Sequence, residues 1–259
     1  MDKRMRIRQH RAQALPCDLN NTRDLLKALS IAHRVLWMAA PDTSQPVDTT
    51  LKRLALYAAA RNQAWHKPRL HLTYISTTGV YGNAAGQWID ERTPVNPQSD
   101  RARRRVHAEQ QVRLASLLGH SGHILRAPGI YGNTRLPLDR IRAGTPAIVD
   151  TEDSWSNHIH ELDLGRLSVW CNFKGGAWRV VNACDSEPCK MGNYFDAVAD
   201  AYHLQRPPRL SRLAVKERVS PMMWSFMAES RRIRSIERAK LGFWLLYPSV
   251  NHFLSKHTA

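Results

Sequence analysis

No glycine precedes Gly79, which excludes an opening glycine-rich loop of the kind whose backbone amides wrap a phosphate at a helix N-terminus. Cysteine is scarce. Cys17, Cys171, Cys184 and Cys189 are the four present; they lack the paired spacing of a zinc site or redox dithiol, and they are too few for a disulfide framework in a chain of 259 residues. No metal site is expected, and a reducing cytoplasm is the expected setting. Long apolar runs are also missing. The N-terminus has no signal-peptide core, and the apolar stretch from Phe243 to Tyr247 is far too short to cross a bilayer, so no membrane partner is expected. Acidic residues are in deficit, 22 against 38 Lys and Arg, for a formal charge of +16. That excess favours phosphate-bearing ligands, anionic surfaces or nucleic acid as partners. It is concentrated from Lys3 to Arg11, from Arg101 to Arg105 and from Arg206 to Lys240, and such runs are commonly solvated helix faces with no partner at all.

What is present is enough apolar sequence, 43%, for a substantial core. Arg34 to Ala40 and Leu70 to Ser76 are short, rich in β-formers and run into turn residues, as buried parallel strands do. Between them Leu51, Leu54, Ala55 and Ala58 recur at helical spacing, which predicts a crossover helix. Ala108, Val112 and Ala115 mark a second helix after Pro97, followed by a strand at His123 to Ala127. A third pair is a strand at Trp178 to Ala183 and a helix at Met191 to Tyr202. Alternating strands and helices predict an α/β fold with a doubly wound, mostly parallel sheet covered on both faces. From Pro207 the composition shifts to Arg, Trp, Met and Pro, predicting a small helical lobe anchored by Trp224, Phe226, Met227, Phe243 and Trp244. The expected division is therefore 1–205 and 206–259, with no internal repeat.

The most informative segment is Tyr74-Ile-Ser-Thr-Thr-Gly-Val-Tyr-Gly82, followed by Gly86-Gln-Trp-Ile-Asp-Glu91, Thr93-Pro94, Pro97 and Arg101 to Glu109. Then come Ile124-Leu-Arg-Ala-Pro-Gly-Ile-Tyr-Gly132, Arg135 and Asn157-His-Ile-His-Glu-Leu-Asp-Leu164. This ordered set resembles the extended and atypical short-chain dehydrogenase/reductases, the group that includes NAD-dependent epimerases and dehydratases, over most of the chain up to about residue 205. The resemblance implies a Rossmann-like NAD(P)-binding domain acting on a small molecule, sugar-like or carbonyl-bearing.

Residue by residue, the resemblance assigns a hydroxyl at the strand end that holds a substrate oxygen beside the nicotinamide, with Ser76, Thr77 and Thr78 as candidates; the same side chains would otherwise cap the turn. The family's usual tyrosine and lysine positions fall on Arg101 and Arg105. Arginine stays protonated at neutral pH, so neither can shuttle a proton. Arg105 keeps the charge to contact a ribose or phosphate, Arg101 is placed on the substrate side, and Tyr81 is the nearest substitute acid. Ala39, Ala40 and Pro41 are carried over as cofactor neighbours. Asp18 matches a position near the adenine, or else caps the helix that follows. Pro128, Gly129 and Ile130 are expected near the nicotinamide and Arg135 at the substrate entrance. Asn157, His158 and His160 belong at the border of sheet and lobe, with Asp163 capping the next helix.

A fold of this type opens with a strand, a glycine-rich turn and a helix, and the resemblance begins only after that unit. A truncated start is therefore expected. In the strand order 3-2-1-4-5-6 the absent strand belongs in the middle of the sheet, which would leave its neighbours unpaired and NAD or NADP weakly held. Three functions compete: an NAD(P)-dependent oxidoreductase or epimerase, a non-catalytic nucleotide-binding sensor or remnant, and a nucleic-acid binder. The last is not expected, because no recognisable reading element accompanies the basic runs.

Overall fold

The computed structural model describes residues 3–41, 54, 69–117, 119–174 and 178–257. An exposed helix α1 (Lys3–Gln9) and α2 (Thr22–Ser30) lead into β1 (Arg34–Trp37). Next in the described chain are β2 (His71–Thr77), a tight helical turn Thr78–Tyr81, β3 (Trp88–Ile89) and α3 (Asp100–Leu117). β4 (Ser121–Ala127), β5 (Gly129–Tyr131), α4 (Leu138–Arg142), β6 (Ala147–Ile148), β7 (Trp155–Ser156) and β8 (His158–His160) come next, then α5 (Glu161–Lys174) and β9 (Arg179–Asn182). β10 (Cys189–Lys190), α6 (Met191–Ala201), β11 (Arg209–Leu210), α7 (Arg212–Arg218), α8 (Pro221–Met227), β12 (Arg232–Ile233), α9 (Ile236–Lys240) and α10 (Val250–His257) complete the chain.

The central sheet is parallel throughout, in the order β1-β2-β4-β9. β2 and β4 read as near-continuous apolar runs because both of their faces are covered. On one face α3 packs with small residues, Ala108, Val112 and Ala115, spaced four and three apart, all within 1% of complete burial. They let the helix lie close over Tyr74 and Ile124, where α2 adds Leu25 and Leu29. On the other face Leu167 and Cys171 of α5 cover Leu125 and Val181. The predicted doubly wound layering is therefore present, with β1 at the sheet's border among the described residues. Strand pairing is tightest at Gly122, where a Cβ would collide with the Leu72 carbonyl oxygen, so only glycine permits the β2–β4 approach.

The crossover helix expected around Leu51, Ala55 and Ala58 lies outside the described residues, apart from Leu54, which is buried in the core beside Trp37 and Leu72. Short strand pairs β6–β11 and β3–β12 tie the segments after residue 206 back to the body. Of the five expected lobe anchors, Met227 and Phe243 are buried, while Phe226 and Trp244 are exposed. Asp163 differs from expectation as well. It sits in the first turn of α5, but its carboxylate accepts the amides of Leu246 and Tyr247 at 2.9 and 2.8 Å, so it pins the C-terminal segment instead of capping its own helix. Among the described residues no helix is long and apolar enough to cross a membrane.

Candidate functional site

Parallel strands place their C-terminal ends on one edge, and there β2 and β4 open into a cleft of about 420 Å³. The sheet side of the wall is Thr77, Thr78 and Gly79 beyond β2, with Pro128, Gly129 and Ile130 beyond β4. The lobe side is aromatic and thioether-rich, from Tyr194 and Phe195 of α6, Met223 and Phe226 of α8, and Trp155. Thr77 Oγ1 accepts the Gly79 amide at 3.2 Å. This is the turn cap anticipated from sequence, and it leaves the hydroxyl proton to donate to a bound oxygen.

Ser76 and Tyr81 are not part of the wall. In the β2–β4 register Ser76 is the partner of Arg126, and the two meet under α3 at Glu109. Arg126 binds that carboxylate in bidentate fashion at 3.0 and 2.7 Å, and Ser76 Oγ donates to it at 2.6 Å. All three are nearly inaccessible. The Arg126 guanidinium also covers the Tyr81 ring at 4.6 Å, and the Tyr81 hydroxyl donates to Asn182 at 2.8 Å. Burial raises the Tyr81 pKa despite those partners. Side chains alternate along a strand, so the residue beside Thr77 faces the core and serves packing.

Arg105 likewise turns inward, donating to the Tyr74 hydroxyl and the Ile75 carbonyl, both at 2.9 Å. Asp18 lies in an exposed turn before α2, accepting the Asn20 amide at 2.9 Å while its own amide donates to Asp24; the helix cap itself is Asn21. Ala39, Ala40 and Pro41 follow β1, and Ala39 lines a separate groove with Leu19 and Leu25.

Four guanidinium groups face the cleft, those of Arg101, Arg135, Arg140 and Arg231, against the single carboxylate of Glu229 among its described wall residues. Arg101 stacks over Phe226 at 4.2 Å, so that exposed ring carries a cation on one face. Burial lowers the Arg101 pKa; Glu229 opposes the shift, and Arg105 and Arg231 add to it. Arg135 pairs with Glu161 at 3.1 Å. Arg140 gives one nitrogen to the Pro146 carbonyl and lies over Phe195 at 4.2 Å, while its Nε and Nη1 have no partner among the described residues. Burial pushes its pKa down to about 10. Arg231 holds Glu229 at 2.6 Å and the Gly82 carbonyl at 2.7 Å, and its Nε is unpartnered among the described residues. His158, stacked on Tyr194 at 4.4 Å, is held neutral because burial lowers its pKa to about 4. Burial pushes the Tyr194 phenol up.

Arg140 and Arg231 escape a reading of the sequence. Arg231 sits inside a basic run that charge patterning assigns to solvent, and Arg140 follows the strand by a spacing that no periodicity marks. The one available signal was the density of arginine next to Trp and Phe.

No protein-family model and no curated protein matches the chain. Solved structures do. A functionally unknown conserved protein from Silicibacter pomeroyi is 29% identical, with 99% of this chain and 86% of that one covered, at a TM-score of 0.80. MoeE5 in complex with UDP-glucose and NAD is 18% identical over 95% of this chain and 84% of that one, at 0.71. The UDP-N-acetylglucosamine 4-epimerase from Bacillus cereus is 13% identical over 96% and 86%, at 0.72. The chain therefore has the Rossmann-like fold of the NAD-dependent epimerase/dehydratase and short-chain dehydrogenase/reductase proteins, the group that its ordered motifs resemble.

Proposed function

We propose that the chain is an epimerase/dehydratase-like NAD(P)-binding protein whose cleft holds a small anionic molecule without the tyrosine-driven hydride chemistry of its fold group. The observation that carries this reading is the set of unsatisfied guanidinium donors in the wall: Nε and Nη1 of Arg140 and Nε of Arg231, which have no hydrogen-bond partner among the described residues, with the guanidinium of Arg101 beside them. Buried donors left unpaired are costly, and an anion entering the cleft would satisfy them with charge-assisted bonds. Proton transfer is poorly served by the same wall. His158 is too weak a base at a pKa of about 4, Tyr194 is too weak an acid, and Tyr81 lies outside it.

The residues present fit one end of a dinucleotide. Thr77, Pro128, Gly129 and Ile130 form a shallow wall on the sheet edge suited to a flat ring, where a nicotinamide, when bound, would supply hydride chemistry. The pyrophosphate end does not fit the described residues. α2, which packs beside β1, has its first amides accepted by Asn21, and the carboxylates of Asp18 and Asp24 stand next to that end and would repel phosphate. The proposal is accordingly weak dinucleotide binding beside a firmly held anionic ligand. One experiment tests it: incubation with NAD and UDP-glucose while nicotinamide absorbance and epimerised sugar are followed. No reduction and no epimer are expected; sustained turnover would replace the proposal with an enzymatic one.

Turnover has one contact in its favour, the Ser156 hydroxyl 3.2 Å from His158 Nε2 in the cleft wall. Loss of turnover in Ser156→Ala would select that reading.

A further inference from the structure

Glu229 is the one carboxylate among the described wall residues of the cleft, set among the guanidinium groups of Arg101, Arg135, Arg140 and Arg231. In a receptor for negative charge alone it is misplaced, because a carboxylate facing an incoming anion repels it. Its place is nonetheless fixed by its neighbours. Ser230 donates its amide to Asn83 at 2.9 Å, accepts the amides of Ala84 and Gly86 at its carbonyl, both at 3.0 Å, and accepts the Trp155 amide at its hydroxyl at 3.0 Å. On the other side the Ala228 carbonyl accepts from Arg212 at 2.6 Å. With both flanking residues tied down, the backbone holds Glu229 in the wall, its side chain only 14% exposed.

Neutralising Arg231 does not account for this placement. A buried carboxylate that serves one arginine commonly grips it at two points, as Glu109 grips Arg126. Glu229 instead meets Arg231 through one nitrogen, Nη1, which also serves the Gly82 carbonyl, and leaves Nε without a partner among the described residues. The same carboxylate supports the charge of Arg101 against burial. A carboxylate has about four acceptor sites, so the wall keeps acceptor capacity that Arg231 does not use.

We infer, on the basis of the anion-binding role proposed above, that Glu229 makes the cleft select an anion that also carries a hydrogen-bond donor near its charged end over an anion that has none. The guanidinium groups take the negative end and Glu229 takes the donor. A wall that includes Tyr194, Phe195 and Met223 keeps water from both contacts, which strengthens them. An anion with acceptors alone leaves the carboxylate facing negative charge. A donor that reaches it gains a charge-assisted bond instead, for an expected preference of about tenfold or more in affinity.

Hydroxyethyl phosphate and propyl phosphate test this as a pair, since they match in charge and nearly in size and differ in a hydroxyl against a methyl group. Each competes against UDP in calorimetric titrations of the wild type and of Glu229→Gln, which keeps the side-chain shape and an oxygen for Arg231. In the wild type hydroxyethyl phosphate should displace UDP at about one-tenth the concentration that propyl phosphate needs. In Glu229→Gln the preference should fall to about threefold or less, since a neutral acceptor gives a weaker bond, and propyl phosphate should bind more tightly than in the wild type. Equal displacement by the two in the wild type overturns the inference whether or not the variant folds, as does a full preference that survives in Glu229→Gln or a failure of hydroxyethyl phosphate to displace UDP. UDP binding is the separate control: with UDP bound and the pair alike, the selectivity fails and the anion site stands, whereas a wild type that does not bind UDP removes both.

Discussion

Ser76 and Thr77 are neighbours in sequence with opposite fates, and this difference is the most direct residue-scale consequence of the fold. Ser76 completes the Glu109–Arg126 ion pair under α3, whereas Thr77 lines the cleft. Ser76→Ala is expected to lower stability in urea by about 1–2 kcal/mol, the cost of removing one hydrogen bond to a buried charge, with ligand affinity unchanged. Thr77→Val should weaken ligand binding by about tenfold, with a loss of about 0.5–2 kcal/mol of stability from the missing turn cap. Equal effects of both on binding would show that Ser76 reaches the ligand after all. The ion pair itself carries more. Glu109→Ala leaves Arg126 unpaired at 3% exposure and should cost roughly 3–5 kcal/mol, read as a fall in the denaturation midpoint.

At the scale of elements, two devices hold the architecture. Close β2–β4 pairing depends on Gly122, and the expected result for Gly122→Ala is loss of the cooperative unfolding transition, since the clash is with backbone. The carboxylate of Asp163 ties α5 to the segment before α10. Much of this layer was legible in the sequence. The runs at 70–76 and 123–127 gave strands because strands buried on both faces are apolar without alternation, the run at 34–40 gave the half-buried border strand β1, and Ala108, Val112 and Ala115 gave α3 through their period. The cleft was only half legible. Thr77, Thr78 and Pro128 to Ile130 were found because they follow strand ends, where a parallel sheet places its open edge. Arg140 and Arg231 were missed, because a guanidinium stacked on a ring, as Arg140 is on Phe195, or folded onto a carboxylate, as Arg231 is on Glu229, reads in sequence like any surface arginine. Ser76 and Tyr81 were assigned to the cleft because the direction in which a strand-end side chain points is fixed by the register with β4 and by Glu109, which lies 33 positions from Ser76 in sequence and which composition does not reveal.

For the molecule as a whole, buried imidazoles make stability pH-dependent. His123, fully buried with both ring nitrogens unpartnered, has its pKa lowered by burial from 6.5 to about 4, and His158 is shifted likewise. A folded-state pKa below the unfolded value means that the unfolded chain binds the proton first. The stabilisation is thus complete above about pH 6.5 and is lost as pH falls toward 4. At pH 5 each histidine should cost about 2 kcal/mol. Asp185, whose carboxyl burial pushes well up, works in the opposite sense, so the clean measurement is a difference. In urea titrations across this range His123→Phe should show a shallower pH slope than the wild type, by up to about 1.4 kcal/mol per pH unit. Parallel slopes would mean that His123 does not titrate as its burial requires.

The proposed role of the cleft is that of a receptor for an anion, made from arginines with unpaired donors. Calorimetric titration with UDP, comparing the wild type with Arg140→Ala, tests that claim most directly. Exothermic one-site binding is expected in the wild type, weakened by at least about tenfold in the variant, in keeping with roughly 1.5–3 kcal/mol for a hydrogen bond to a charged group. Equal affinity in the two proteins, or no binding in the wild type, would contradict it.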